Sequence, residues 1–241
     1  MNFKEKDYYL RTSDYDKRDF IRPSAIMDMF QDAAGQNAEE QGVGYKELLD
    51  KDIIWVLLRN RFDIVKYPPL YATVRVKTWP HPRGKADFDR DYLVSSVDGK
   101  EVYIKGSSKW CLCNVKTRRI VFAKDVVFND ETFLPDVVYP GGLNKIKDFS
   151  EEGFEVYEDK THFCDLDHNG HINNIKYTDY ILNAVSPKDD EAITFLEIDY
   201  IKEMPSGQSY KIFYKKTGTE YLVKCVSGET EVFRARMGVS K

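Results

Sequence analysis

The sequence predicts an α+β chain built from two tandem repeats, each an antiparallel sheet wrapped on one helix, the two sheets joined into one continuous sheet. Three observations predict it. "RFDIVKYPPLYATVRVK" from Arg61 and "EIDYIKEMPSGQSYKIF" from Glu197 share one layout, matching Asp63 to Asp199, Lys66 to Lys202 and Pro69 to Pro205 at a constant offset of 136 residues. In each copy an alternating apolar and polar segment reaches a proline turn and resumes as a second alternating segment, a hairpin or meander signal. A stretch with helical periodicity precedes each copy.

In the first half, Pro23 stands where a proline suits the first helical turn, and Ile26, Met29, Phe30 and Ala33 form an apolar stripe. In the second, Ile175, Thr178, Leu182 and Val185 make a comparable stripe after Asn173 and Asn174, residue types that favour helix starts. "EVYIKGSSKWCLCNV" and "YLVKCVSGETEVFRARMGV" supply closing strands, with "SVDGKE" and "SGETE" as turn chemistry. One helix followed by several long antiparallel strands buries most apolar surface when the sheet curls around the helix, the hot-dog arrangement. Two copies can then pair their exposed sheet edges, giving the tandem (double) hot-dog fold. The glycines and charges of "YPGGLNKIKDFSEEGFE" mark a linker, so the repeats are expected at 1–148 and 149–241, the linker opening the second. Three identities leave two unrelated α+β domains as the alternative.

A 42% hydrophobic content fills such a core, and the longest apolar run, Ile53 to Leu58, is far too short to span a membrane. The amino terminus is charged with no apolar signal core, which suggests a cytoplasmic protein. A net charge of −4 from interspersed signs argues against nucleic acid as a partner, and "KTRRI" reads as a solvated turn. Cys111, Cys113, Cys164 and Cys225 have neither disulfide nor zinc-knuckle spacing and read as free, packed thiols.

The chemistry concentrates in "CDLDHNGHINNIKYTDYILNAV" from Cys164. As a calcium loop starting at Asp165 it fills several positions, but the twelfth is Lys176 where a bidentate glutamate belongs. As a zinc site, His168 and His171 lack a third ligand at usual spacing. A polar turn capping a helix is the plain structural alternative. A catalytic loop gathers His171, Asn169 and the first helical N–H groups at one spot, where a developing oxyanion could be stabilised. No G-x-S-x-G elbow is present, and Cys164 falls in strand alternation, so attack by water is favoured over a nucleophile. A thioester suits that equipment because a thiol, with a pKa of about 8.5, leaves with little acid assistance.

"DLDHNGHINNIKYTDYIL" resembles the motif of the acyl-acyl-carrier-protein thioesterases: Asp, any, Asn, any, His, an aliphatic, Asn, Asn, any, Lys, Tyr. Here those positions are Asp167, Asn169, His171, Ile172, Asn173, Asn174, Lys176 and Tyr177. The opening "YYLRTSDYD", the helix near "SAIMDMFQDAAGQNAEEQGVG" and "IIWVLLRNRFDIVKYPPLYATVRVKTWP" resemble the family's first repeat. Without a plastid transit peptide, the chain looks like a bacterial member. The resemblance implies hydrolysis of fatty acyl-acyl carrier protein to free fatty acid and holo-carrier protein, with no cofactor or metal. It implies that Asp167, Asn169 and His171 are catalytic, joined by a glutamate of the following strand, best matched by Glu203. Plant members carry a cysteine after this glutamate; here it is Met204, which cannot attack a thioester.

On this reading Glu203 positions and deprotonates a water, His171 bonds the water or the thioester carbonyl, and Asp167 fixes Asn169 and His171 from behind. Which of Glu203 and His171 is the base stays open. Tyr67 occupies the place of Glu203 in the first repeat, so one active site per chain is expected, with the first repeat holding the acyl chain. Ile26, Met29, Phe30, Trp55 and Leu57 are candidate linings, or simply core; Asn173 and Asn174 are candidate substrate contacts. Lys176 and Lys202 are candidate contacts to an acidic carrier protein. A homodimer is possible, and no membrane contact is expected. Acyl-CoA or aromatic-CoA hydrolysis, and a non-enzymatic acyl-binding or calcium-binding module, are the alternatives.

Overall fold

A computed structural model describes residues 2–168 and 170–241. It divides into two compact units, Met1–Ile21 with Ala25–Leu143, and Asn144–Lys241 with Arg22–Ser24.

The first unit runs β1 (Lys4–Tyr9), α1 (Pro23–Glu40), α2 (Tyr45–Leu49), β2 (Ile53–Ile64), β3 (Thr73–Pro80), β4 (Asp87–Ser96), β5 (Val102–Asn114) and a short β6 (Ile120–Val121). Its sheet order is β1-β3-β4-β5-β2, with β6 on β5, and the pairs are antiparallel. The α1 stripe is core as its spacing predicts: Ile26, Met29, Phe30 and Ala33 are all buried. Phe30 stacks on Tyr92 of β4, ring centroids 4.2 Å apart. It also lies so close over β5 that a Cβ at Gly106 would stand 2.4 Å from its ring, so helix and sheet meet where the strand has no side chain.

The second unit runs β7 (Glu155–Lys160), α3 (Lys176–Val185), β8 (Ala192–Tyr200), β9 (Ser209–Thr217), β10 (Glu220–Ser227) and β11 (Thr230–Ser240). Its order is β8-β11-β10-β9-β7, again antiparallel. Tyr177 of α3 packs edge-on against Phe233 at 5.5 Å, and Tyr180 against Tyr210 at 4.9 Å. Each unit is thus one long helix on an antiparallel sheet, and the chain has the tandem hot-dog fold. The segment before β7 belongs to the second unit through its partners: Asp199 accepts the Ile146 N–H at 2.7 Å, and the buried Lys224 ammonium bonds Asp148, Glu151 and the Phe149 carbonyl.

Three expectations are corrected. The proline segments do not close hairpins: β2 pairs with β5 while β3 pairs with β1 and β4, and in the second unit β8 pairs with β11 while β9 pairs with β10 and β7. Prolines offer no ladder donor, and the connection is instead tied to the opening loop, Tyr15 donating its hydroxyl to the Pro69 carbonyl at 3.1 Å and accepting the Tyr71 N–H at 2.8 Å. The buried face of α3 is Tyr177, Thr178, Tyr180, Ile181, Ala184 and Val185, with Ile175 and Leu182 only half-buried. The aromatic bodies of Tyr177 and Tyr180 are part of this face, a packing role that a stripe of purely apolar residues leaves out. Cys164 is exposed, because residues 163–165 form a 3-10 turn and the strand alternation stops at Lys160. Among the described residues, no helix is long and apolar enough to cross a membrane.

Candidate active site

The site is assembled between β7 and α3. After β7 the chain makes the 3-10 turn Phe163–Asp165, whose last residue turns its buried carboxylate back to the His162 N–H at 2.7 Å. The backbone then doubles on itself: Leu166 bridges Ile172, and Asp167 donates its N–H to the His171 carbonyl at 2.8 Å. Asp167 Oδ1 accepts the His171 N–H at 3.2 Å, and Gly170, at φ +78°, takes the left-handed conformation that lets so tight a loop close. Asn169 lies outside the described residues. Both carboxylates that a calcium reading would use are thus turned toward main-chain amides of their own loop.

Glu203 arrives from the segment after β8. Its neighbour Met204 is buried at 1% exposure, and the Met204 main chain hydrogen-bonds the hydroxyl of Tyr177, a phenol whose pKa burial pushes up. Two residues beyond Glu203, the Pro205 carbonyl accepts the Thr161 hydroxyl at 3.1 Å. With Met204 anchored inward, Glu203 projects outward, its Oε1 3.6 Å from His171 Nδ1; the two side chains are 47% and 39% exposed. That separation is slightly longer than a direct hydrogen bond.

The helix-start amides are less available than the sequence suggests. Asn173 donates its N–H to the Asp165 carbonyl at 2.9 Å, Ile175 to Asn173 Oδ1 at 3.0 Å, and Lys176 to the Asn173 carbonyl at 2.8 Å. An oxyanion would have to displace these bonds to use those donors. The Asn174 carbonyl accepts the Tyr200 hydroxyl at 3.4 Å, and Lys176 lies 3.8 Å from Asp179. Of the candidate linings, Ile26, Met29, Phe30 and Leu57 are buried in the first unit, and Trp55 donates its indole N–H to the Val43 carbonyl at 2.9 Å.

A second loop of the same construction, missed from sequence, lies in the first unit. Asp16 donates its N–H to the Phe20 carbonyl at 2.8 Å and accepts the Phe20 N–H on Oδ1 at 3.3 Å; Tyr15 bridges Ile21; Asp19 has φ +61°. Upstream, Asp14 accepts the Arg11 N–H at 2.7 Å, as Asp165 does that of His162. Every one of these positions is offset by 151 residues, which places Phe20 at His171 and Arg18 at Asn169. Glu203 corresponds to Tyr67 by the 136-residue offset, and the Phe20 and Tyr67 rings pack 4.3 Å apart. The signal was the repeated Asp-x-Asp of "SDYD" and "CDLD". The change of offset hid it, since the first unit has the longer helix and the additional α2 between loop and strand.

The family model for the acyl-ACP thioesterase N-terminal domain matches residues 1–129, and that for the C-terminal domain matches residues 146–233. A palmitoyl-acyl carrier protein thioesterase of Cuphea hookeriana is 30% identical over 164 residues, 65% of this chain and 40% of that relative, so the match spans under half of the relative's length. Two solved structures share the fold over essentially the whole chain. A 12:0-ACP thioesterase from Umbellularia californica superposes with a TM-score of 0.87 at 23% identity, covering 100% of this chain and 98% of that one. An acyl-ACP thioesterase from Bacteroides thetaiotaomicron gives 0.86 at 22% identity, covering 99% and 98%.

Proposed function

This chain belongs to the acyl-ACP thioesterase family, and on that premise we propose that it hydrolyses the thioester of fatty acyl-acyl carrier protein, releasing free fatty acid and holo-carrier protein. The observation that carries the reading is the approach of Glu203 Oε1 to His171 Nδ1, 3.6 Å apart and both open to solvent, in the half of the chain that retains an acid and a base.

Glu203 is the better base. A carboxylate beside the imidazole edge binds a water and takes its proton as the oxygen attacks the carbonyl carbon. With Nδ1 turned to Glu203, His171 has Nε2 left for the carbonyl oxygen, where an N–H supports the charge of the tetrahedral intermediate. Collapse breaks the C–S bond, and the pantetheine sulfur leaves as thiolate, its acid having a pKa of about 8.5. The proton taken by Glu203 returns to that sulfur or to solvent. Met204 contributes by position alone, since its buried thioether fixes the segment that aims Glu203.

The acyl chain is assigned to the helix–sheet layer of the first unit, among Ile26, Met29, Phe30, Trp55 and Leu57. Asn173 and Asn174 then act through the loop they brace more than through substrate. The reading is tested by comparing hydrolysis of acyl-carrier protein and acyl-CoA of equal chain length. Preference for the carrier protein supports it; equal or greater activity on acyl-CoA moves the chain to the CoA-dependent class.

A further inference from the structure

The end of β5 carries an apolar row on the outer face of the first unit's sheet. Trp55 of β2, Leu112 of β5 and Val121 of β6 turn to the core. Side chains alternate along a strand, so Ile54, Cys113 and Ile120 lie on the opposite face, and the register sets them side by side, Ile54 opposite Cys113 and Cys113 opposite Ile120. Phe122, two extended residues beyond Ile120, continues the row. Ile120 is 57% exposed and Phe122 50%. The margin of the row is basic. Residues 114–124 hold Lys116, Arg118, Arg119 and Lys124, with no acidic residue before Asp125. Lys116 is paired with Asp52 at 2.6 Å, whereas Arg119 and Lys124 are exposed and have no ion pair among the described residues. The turn is held in shape: Asn114 Oδ1 accepts the Lys116 and Thr117 N–H groups at 3.1 and 2.9 Å, and the Asn114 carbonyl accepts the Arg118 N–H at 2.9 Å.

An apolar patch with a charged rim marks an interaction surface. A second copy of this chain fits it poorly, since a two-fold contact through Ile120 would set Arg119 and Lys124 against the same cations of the other copy. We propose that the row docks an acidic protein that presents an apolar side chain, and that this partner is the acyl carrier protein. Ile120 and Phe122 supply the apolar centre, and Arg119 and Lys124 the complementary charge. The proposal rests on the hydrolase reading, under which an acidic carrier protein is held while its thioester is cleaved. It gives the stretch "KTRRI" a role that a solvated turn lacks.

The test uses the full chain and compares a fatty acyl-carrier protein with acyl-pantetheine of equal chain length, which offers the thioester without the protein. Arg119→Glu and Ile120→Ser should each raise KM for the acyl-carrier protein about tenfold, with kcat and the hydrolysis of acyl-pantetheine as in the wild type. Added salt should shrink the effect of Arg119→Glu and leave that of Ile120→Ser. Lys100→Glu, the same change of charge in the exposed turn at the other end of β5, should match the wild type. A wild-type KM in either Arg119→Glu or Ile120→Ser would overturn the proposal. An equal rise in Lys100→Glu would overturn it in favour of net charge, and an equal loss on acyl-pantetheine in favour of a damaged fold. Wild-type dimers that dissociate in Ile120→Ser would assign the row to a second copy. Wild-type binding to phosphatidylglycerol vesicles, lost in both variants, would assign it to a membrane surface. Failure of the hydrolase reading shows in the wild type itself, as hydrolysis of acyl-CoA at least as fast as that of acyl-carrier protein, and would remove the carrier protein as partner.

Discussion

Phe20 and Tyr67 pack with ring centroids 4.3 Å apart and planes tilted by 31°, at the positions that His171 and Glu203 hold in the second repeat. One scaffold therefore carries an aromatic pair in one copy and a carboxylate beside an imidazole in the other. The aromatic pair ties the opening loop to the connection after β2. Its coupling in a double-mutant cycle with Phe20→Ala and Tyr67→Ala should be about 0.5–1.5 kcal/mol by urea unfolding, with kcat of the single variants retained. A zero coupling, or a catalytic defect larger than the loss of folded protein, would count against a packing role.

Gly106 sits beneath Phe30, where a Cβ would come within 2.4 Å of the ring. Gly106→Ala should lower stability by about 1–3 kcal/mol, the range for overpacking a filled core. A thermal midpoint equal to the wild type would show that the helix can lift from the sheet at no cost.

Glu191 is buried, and its carboxyl is held below its ordinary value of 4.5 chiefly by the Lys216 ammonium, against the opposing effect of burial. Because the folded-state value is the lower one, the pair adds stability above about pH 4.5 and loses it as the pH falls through the folded value. The melting temperature of the wild type should therefore drop more steeply below about pH 4.5 than that of Glu191→Gln. Parallel curves would remove Glu191 from the acid response.

Much of this was legible in the sequence because periodicity and turn chemistry are local. The α1 stripe Ile26, Met29, Phe30 and Ala33 was read directly, and the pairing of Glu203 with His171 came from the family motif. Strand partners were not legible. A proline turn between two alternating segments looks the same whether the strands pair or cross over, and the choice is made by long-range contacts such as Tyr15 to Pro69. The availability of the helix-start amides was also hidden, since it depends on the Asp165 carbonyl reaching Asn173 across the loop.

The cysteines separate by environment. Cys164 is exposed, whereas burial pushes the Cys111 thiol up to about 11 and raises Cys225 as well. An aromatic disulfide reagent should label Cys164 first in the native state, with Cys111 and Cys225 reacting only on unfolding. Cys164→Ser should keep wild-type turnover, and a loss of activity there would revive a covalent mechanism.

The most direct test of the account is single-turnover hydrolysis of a fatty acyl-carrier protein by the wild type and by Glu203→Gln, both checked for native fold by their melting temperatures. The account predicts a fall in the chemical rate of about 10²–10⁴-fold, the share of a positioned general base, with substrate still bound. A Glu203→Gln rate within a few-fold of the wild type would contradict it.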